Sequence, residues 1–160
     1  MKQADEIRNN PIIQAIRSRR VTRHFSDQPL TQEILETIVE AARWAPSGGN
    51  RRLHKFVVVV DPKAIQNIRI IAPGIDSNPV AMIVICTDWE KAKRQGFSPD
   101  QKMIWIDVGT ATENILLAAR ALGVGAGPAT SFSPGAVQAL LDLPDWLIPE
   151  LIVCLGYPGE

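Results

Sequence analysis

The sequence predicts a single α+β domain in which a small mixed sheet packs between helices. Three observations carry this. Short runs of aliphatic and β-branched residues at 56–60, 80–86 and 151–155 read as buried strands. They alternate irregularly with helical patterns, unlike a regular βαβ order. One long segment, Met103 to Leu122, is apolar around most of its circumference, so it must be central or covered by a partner. With so few strands, that helix favours an obligate dimer.

In chain order, Glu6 to Arg17 places Ile7, Ile12, Ile13 and Ile16 at loosely helical spacing. Pro11 sets the start, with Asn10 as cap. Ser26 to Pro29 is a turn. Thr31 caps an amphipathic helix with Ile34, Leu35, Ile38, Val39 and Ala42 on one face. It stops at Pro46-Ser47-Gly48-Gly49-Asn50, residues that permit unusual backbone angles. Phe56 to Val60 is a strand, and Pro62 opens a helix to Ile71 that Pro73-Gly74 ends. Val80 to Cys86 is the second strand, and Asp88 and Glu90 beside Trp89 read as a solvated loop. The Gly-rich stretch from Gly123 to Pro128 closes the long helix and leads into extended chain. Ser133 and Pro134 open a short helix to Leu141, and Leu151 to Leu155 is the last strand. The four tryptophans, Trp44, Trp89, Trp105 and Trp146, read as packing residues.

Bulk properties narrow the function. The 160 residues suit one domain, and a chain of this size buries enough surface to fold without disulfides. Seventeen basic residues balance seventeen acidic ones, which argues against a general nucleic-acid or anionic-membrane binder. Cys86 and Cys154 sit inside apolar runs and read as buried small hydrophobes. No signal peptide or membrane-spanning stretch is visible, so a cytoplasmic location is expected.

Three stretches carry candidate chemistry. Arg17, Arg19, Arg20 and Arg23 fall within seven residues. Their forked donors match phosphate oxygens, or they form a solvated basic helix end. The loop from Ala45 to Asn50 lets backbone approach a flat ligand, with Asn50 able to donate and accept, or it merely ends a helix. The glycines at 123, 125 and 127 follow a helix, so they are no dinucleotide fingerprint. There is no GxSxG or HExxH, and His24 and His54, the only histidines, read as structural.

In order and spacing these stretches resemble the FMN-dependent nitroreductase family. The blocks are Ile16 to Phe25, Pro29-Leu30, the helix ending in Ala41 to Asn50, the strand Phe56 to Val60, Asn114 to Gly125, and Leu155-Gly156-Tyr157-Pro158. The resemblance implies an α+β fold with a mixed, mostly antiparallel sheet and an intertwined homodimer with FMN at the interface. It implies that Arg19, Arg20 and Arg23, with the backbone of Val21, grip the FMN phosphate and ribityl chain. Asn50 is then expected to reach the flavin ring or ribityl, with Pro46 and Ser47 shaping the approach. Pro128, Ala129, Thr130 and Ser131 are expected beside the reactive edge, where a backbone N–H can meet flavin N5. The flavin then carries hydride from NADH or NADPH to a nitroaromatic, quinone or similar acceptor in a ping-pong cycle, which explains why no acid–base dyad is visible. The same fold also serves dehalogenating, flavin-fragmenting and peptide-oxidising enzymes, and a non-catalytic protein of this fold is the further alternative.

Three departures stand out. Val21 occupies a position where the family often has Ser. After Asn50 the family usually continues with Gln-Pro-Trp, whereas here Arg52-Leu53-His54 follows, altering the wall near the flavin. Relatives usually continue past Gly-Tyr-Pro with a basic segment that adds an Arg to the phosphate, and this sequence ends at Glu160. Either weaker FMN binding is expected, or the sequence is a short variant or a truncated form.

Overall fold

In a computed structural model, which describes Ile7 and residues 9–98 and 101–159, most helices begin where a side chain receives their first N–H groups. Asn10 accepts from Ile12 and Ile13 and Pro11 follows, opening α1 (Pro11–Ser18). The expected earlier start at Glu6 lies outside the described residues. Thr31 caps α2 (Gln32–Arg43), which leads through a 3-10 turn (Gly48–Asn50) to β1 (His54–Val59). Asp61 and Pro62 open α3 (Pro62–Ile71), followed by β2 (Ala81–Asp88).

Next comes a helix not anticipated from the sequence. The expected solvated loop at 88–90 is instead the start of α4 (Trp89–Arg94), because Asp88 is buried and accepts from Lys91 N–H as its cap. Then follow α5 (Lys102–Ala121), β3 (Gly125–Ala129), α6 (Pro134–Leu140), capped by Ser133, and β4 (Leu147–Gly156).

The strand order is β1-β2-β4-β3, with every neighbour antiparallel. Parallel pairing among the described residues is limited to a bridge between Val21 and Ala126. Every residue of β2 is buried, since helices cover both faces of the sheet. Side chains alternate across it. Ala81, Ile83 and Ile85 face a core shared with α2 and α5, while Met82, Val84 and Cys86 face one shared with α3 and α6. β4 carries one extra residue, Glu150, because Ile85 pairs with Leu151 but Cys86 with Pro149. Burial raises the Glu150 carboxyl above its ordinary range, opposed by a hydrogen bond from Thr87.

Both cysteines are free and buried, as expected. Burial pushes Cys86 up to about 12 and Cys154 up to about 11, which keeps them protonated and unreactive at neutral pH. Two tryptophans depart from the expectation: Trp44 is 72% exposed and Trp105 is 56% exposed, so neither packs within this chain. No described helix is long and apolar enough to cross a membrane.

The segment after α1 runs along the edge of the sheet. Thr22 N–H donates to the Ala126 carbonyl at 2.9 Å, and Phe25 bridges Pro158. Strand β3 has no room for larger residues there. A Cβ on Gly127 would lie 2.6 Å from the Thr22 carbonyl oxygen, and one on Gly125 would lie 2.7 Å from the Thr22 side chain.

Candidate functional site

The arginine block is seated by that close approach. A cavity of about 170 Å³ is lined by Arg19, Arg20 and Arg120 with Ser18, Thr22 and the backbone of residues 123–126. Each guanidinium is already oriented. Arg19 Nε donates to Glu113 Oε1 at 3.2 Å. One terminal nitrogen of Arg20 donates to the carbonyls of Arg17 and Arg19, each at 2.8 Å. Arg120 Nε donates to Ser18 Oγ at 3.4 Å. Arg120 was not anticipated from the sequence; its signal was its spacing of seven from Glu113, which puts both on one face of α5.

Arg23 stands apart from this cluster. It pairs with Asp76 at 3.6 Å and lines a different hollow of about 530 Å³, together with Ser26, Arg69 and Asn78. In that hollow Arg69 donates to Asn78 Oδ1, while its Nε and the Ser26 Oγ are buried without a partner. Thr130 and Ser131 follow the end of β3, and the Ser131 carbonyl accepts from Gly74 N–H at 3.2 Å. Val21 forms a parallel bridge with Ala126 at the edge of β3. Pro128 and Ala129 lie within β3, paired with Val153 and Ile152.

The loop from Pro46 to Asn50 is fixed from the other end of α5. Gly48 N–H is received by both carboxylate oxygens of Asp107, at 3.0 and 3.1 Å, and Thr110 Oγ1 donates to the Pro46 carbonyl at 3.0 Å. Ser47 Oγ accepts from Arg52 N–H, and Asn50 Oδ1 accepts from Arg52 Nε. Gly49, Asn50 and Arg52 hold φ of 59°, 52° and 50°, left-handed conformations that the two non-glycine residues adopt at a cost of order 1 kcal/mol each. Asp107 is buried at 4% exposure and was missed from sequence, where it is one carboxylate in an apolar helix.

Beneath this loop lies a cavity of about 390 Å³. Its wall is the departing segment Arg52-Leu53-His54, with Leu53 fully buried below it. His54 Nδ1 meets Thr87 Oγ1 at 3.4 Å, and its Nε2 is buried without a partner. Burial holds the imidazole below its ordinary value, with Asp107 pulling the other way.

The arginine cavity and the loop cavity occupy different sides of α5. Ala111 lines the loop cavity, whereas Leu116 and Arg120 line the other. At about 3.6 residues per turn these two lie about 140° and about 180° around the helix from Ala111. One chain therefore does not bring Asn50 and Arg19 around a single ligand. Exposed apolar residues accompany this split: Trp44 beside the loop, Trp105 and Ile106 on α5, and Ile12 and Ile16 on α1, a helix with no buried residue.

The donor set fits an FMN phosphate, with three guanidinium groups, two hydroxyl residues and a glycine-backed floor. The small residues of β3 let the segment after α1 lie directly against its backbone, which brings Arg19 and Arg20 to the floor of the cavity.

Comparison with known proteins agrees with this geometry. The family model described as the nitroreductase family matches residues 16–79 and 71–157. A "Putative NADH dehydrogenase/NAD(P)H nitroreductase" of Methanothermobacter thermautotrophicus is 32% identical, over 93% of this chain and 78% of its own. The FMN reductase [NAD(P)H] of Bacillus subtilis is 28% identical over 94% of this chain and 67% of its own. Among solved structures, a nitroreductase family protein from Clostridium difficile superposes with a TM-score of 0.80 at 28% identity, covering 94% of this chain and 86% of that one.

Proposed function

The chain belongs to the nitroreductase family and is an oxidoreductase, and we propose that it works as a homodimer with FMN at the interface, passing hydride from NADH or NADPH to a nitroaromatic, quinone or similar small acceptor. The observation that carries this reading is the arginine cluster seated on a glycine floor, while the loop that would complete the site faces the other side of α5. A second copy, covering the exposed apolar residues of α1 and α5, would supply the missing half.

Arg19 and Arg20 would hold the phosphate, with Arg120 beside them. Their existing hydrogen bonds orient the forks before the ligand arrives, which reduces the entropy lost on binding. Val21 would add backbone only, and Arg23 would take the ribityl or polar ring end. Pro46, Ser47 and Asn50 would come from the partner copy, held in place by Asp107 through Gly48. Pro128 to Ser131 would lie along the reactive edge, where a backbone N–H from among Ala129 to Ser131 would meet a developing negative charge. When bound, FMN supplies two-electron carriage, with hydride donor and acceptor alternating at one face in a ping-pong cycle. Dependence on NAD(P)H supports the cytoplasmic location expected from the sequence.

The first test is the visible spectrum of the purified protein, before and after anaerobic NADH or NADPH. Flavin bands that bleach are expected. Absence of bands even after FMN is added would overturn the reading in favour of a non-catalytic protein of the same fold. Arg19→Ala should weaken FMN binding at least tenfold, the loss of about one charge-assisted contact. Unchanged affinity in a fluorescence titration would remove Arg19 from the phosphate site.

A further inference from the structure

We propose that the cavity beneath the Pro46–Asn50 loop is a binding site for a small aromatic carboxylate, which makes acceptors of that class the preferred ones. The term acceptor rests on the function proposed above; the binding site itself does not.

Four cations ring the cavity: Arg43, Arg52, Lys55 and Lys91. None of them is paired with a carboxylate among the described residues, where the two ion pairs join Arg19 to Glu113 and Arg23 to Asp76. Arg52 and Lys91 are instead steered by neutral groups. Arg52 Nε donates to Asn50 Oδ1, and Lys91 Nζ donates to the Arg52 carbonyl at 3.0 Å. In a chain whose charges balance, four cations without an ion-pair partner around one mouth, against a single buried carboxylate in the lining, leave a local positive field.

The interior has the opposite character. Phe56 and Ala111 supply apolar wall, and the one acidic lining residue, Asp107, is buried. The two Asp107 oxygens share the single Gly48 N–H, and the buried carboxylate repels an anion from the interior. Burial keeps the His54 ring neutral near pH 7, so it adds no charge inside. A ligand with an apolar ring and one anionic group is therefore oriented, ring inward and acid at the rim. The cavity's 390 Å³ is ample, since about 150 Å³ suffices for benzene. A neutral ring would gain the apolar contacts alone.

The probes are 4-nitrobenzoate and 4-nitrobenzamide, equal in shape and different in charge. By calorimetric titration of the purified protein, the acid should bind about tenfold more tightly, the worth of one charge-assisted contact. The difference should shrink as salt is raised. The double variant Arg43→Gln/Lys55→Gln should remove the preference, and Lys63→Gln, an exposed cation on α3 outside the cavity, should retain it. Equal affinity for the two probes, no measurable binding of either, or a preference that survives the double variant would overturn the proposal. So would adenosine 2′,5′-bisphosphate competing with 4-nitrobenzoate and losing affinity in the same double variant, because the rim would then belong to the dinucleotide phosphate. Circular dichroism of each variant shows that a lost preference is not lost fold. The flavin spectrum is a separate readout, so a protein that binds the acid but no FMN defeats only the proposed function.

Discussion

The two ends of α5 hold cations in opposite ways. Near its C-terminal end, Arg19, Arg20 and Arg120 are each tied by hydrogen bonds to Glu113, backbone carbonyls or Ser18, over a floor too close for any Cβ. Near its N-terminal end, Arg43 and Lys55 stand at a cavity mouth with no ion-pair partner among the described residues. The first arrangement is preorganised and suits a resident ligand that must stay. The second is loosely held and suits a ligand that must leave, because ordering long side chains on binding costs about 0.5–1.5 kcal/mol each.

The largest effect expected from separating these regions comes from Gly127→Ala. The new carbon would meet the Thr22 backbone, which cannot rotate away as a side chain can. A loss of about 3 kcal/mol in urea unfolding is expected, the upper part of the range for overpacking, together with loss of FMN binding. Binding of 4-nitrobenzoate at the other end should persist in the folded fraction. If FMN affinity were also unchanged, the two regions would not differ in the way described.

Asp107→Ala acts on the other end. It leaves the Gly48 N–H without its acceptor, at about 2 kcal/mol. The loop should loosen, and amide exchange at Gly48 should rise while that around Arg19 stays as it was.

A smaller effect lies in pH. Burial lowers the His54 value, so the unfolded chain takes up a proton as pH falls below 6.5 while the folded chain resists. The stability contributed by this group is thus complete above 6.5 and declines as pH drops toward the folded value. His54→Gln should flatten that part of the slope in urea midpoints measured on either side of pH 6.5. An identical slope in the variant would assign it to other groups.

The smallest effect is expected from Glu113→Gln. Both partners of the Arg19 pair are partly exposed, so solvent screening leaves less than about 1 kcal/mol of stability in it. Its value lies in orientation: FMN affinity should fall by more than the change in stability implies.

Much of the fold was legible because it rests on local chemistry. Asn10-Pro11, Thr31, Asp61-Pro62 and Ser133-Pro134 each announce a helix start, since a short polar side chain reaches the first free N–H groups whatever surrounds it. The apolar run of β2 was equally plain, since a strand covered on both faces needs no alternation. Helix α4 was not legible. Asp88-Trp89-Glu90 looks like a solvated turn until Leu53 and Ile104 bury Ala92 against them. Strand β3 reads Gly-Ala-Gly-Pro-Ala, with almost no strand propensity, and is extended because β4 supplies the pairing and Thr22 the steric ceiling.

The site divides along the same line. The basic block, the Pro46–Asn50 loop and the extended chain from Pro128 are written in residue type, because phosphate grip and close backbone approach demand arginine and small residues. Arg120 and Asp107 were hidden in α5, as a helix face has meaning only once its neighbours are placed. The sequence by itself thus determined where elements begin, which strand is central and which residues could meet a phosphate, all consequences of chemistry within a few residues. Tertiary structure alone decided that the arginine cluster and the Pro46–Asn50 loop face different sides of one helix and that four cations share one cavity mouth. Those are relations between segments as many as 102 residues apart, and no local preference encodes them.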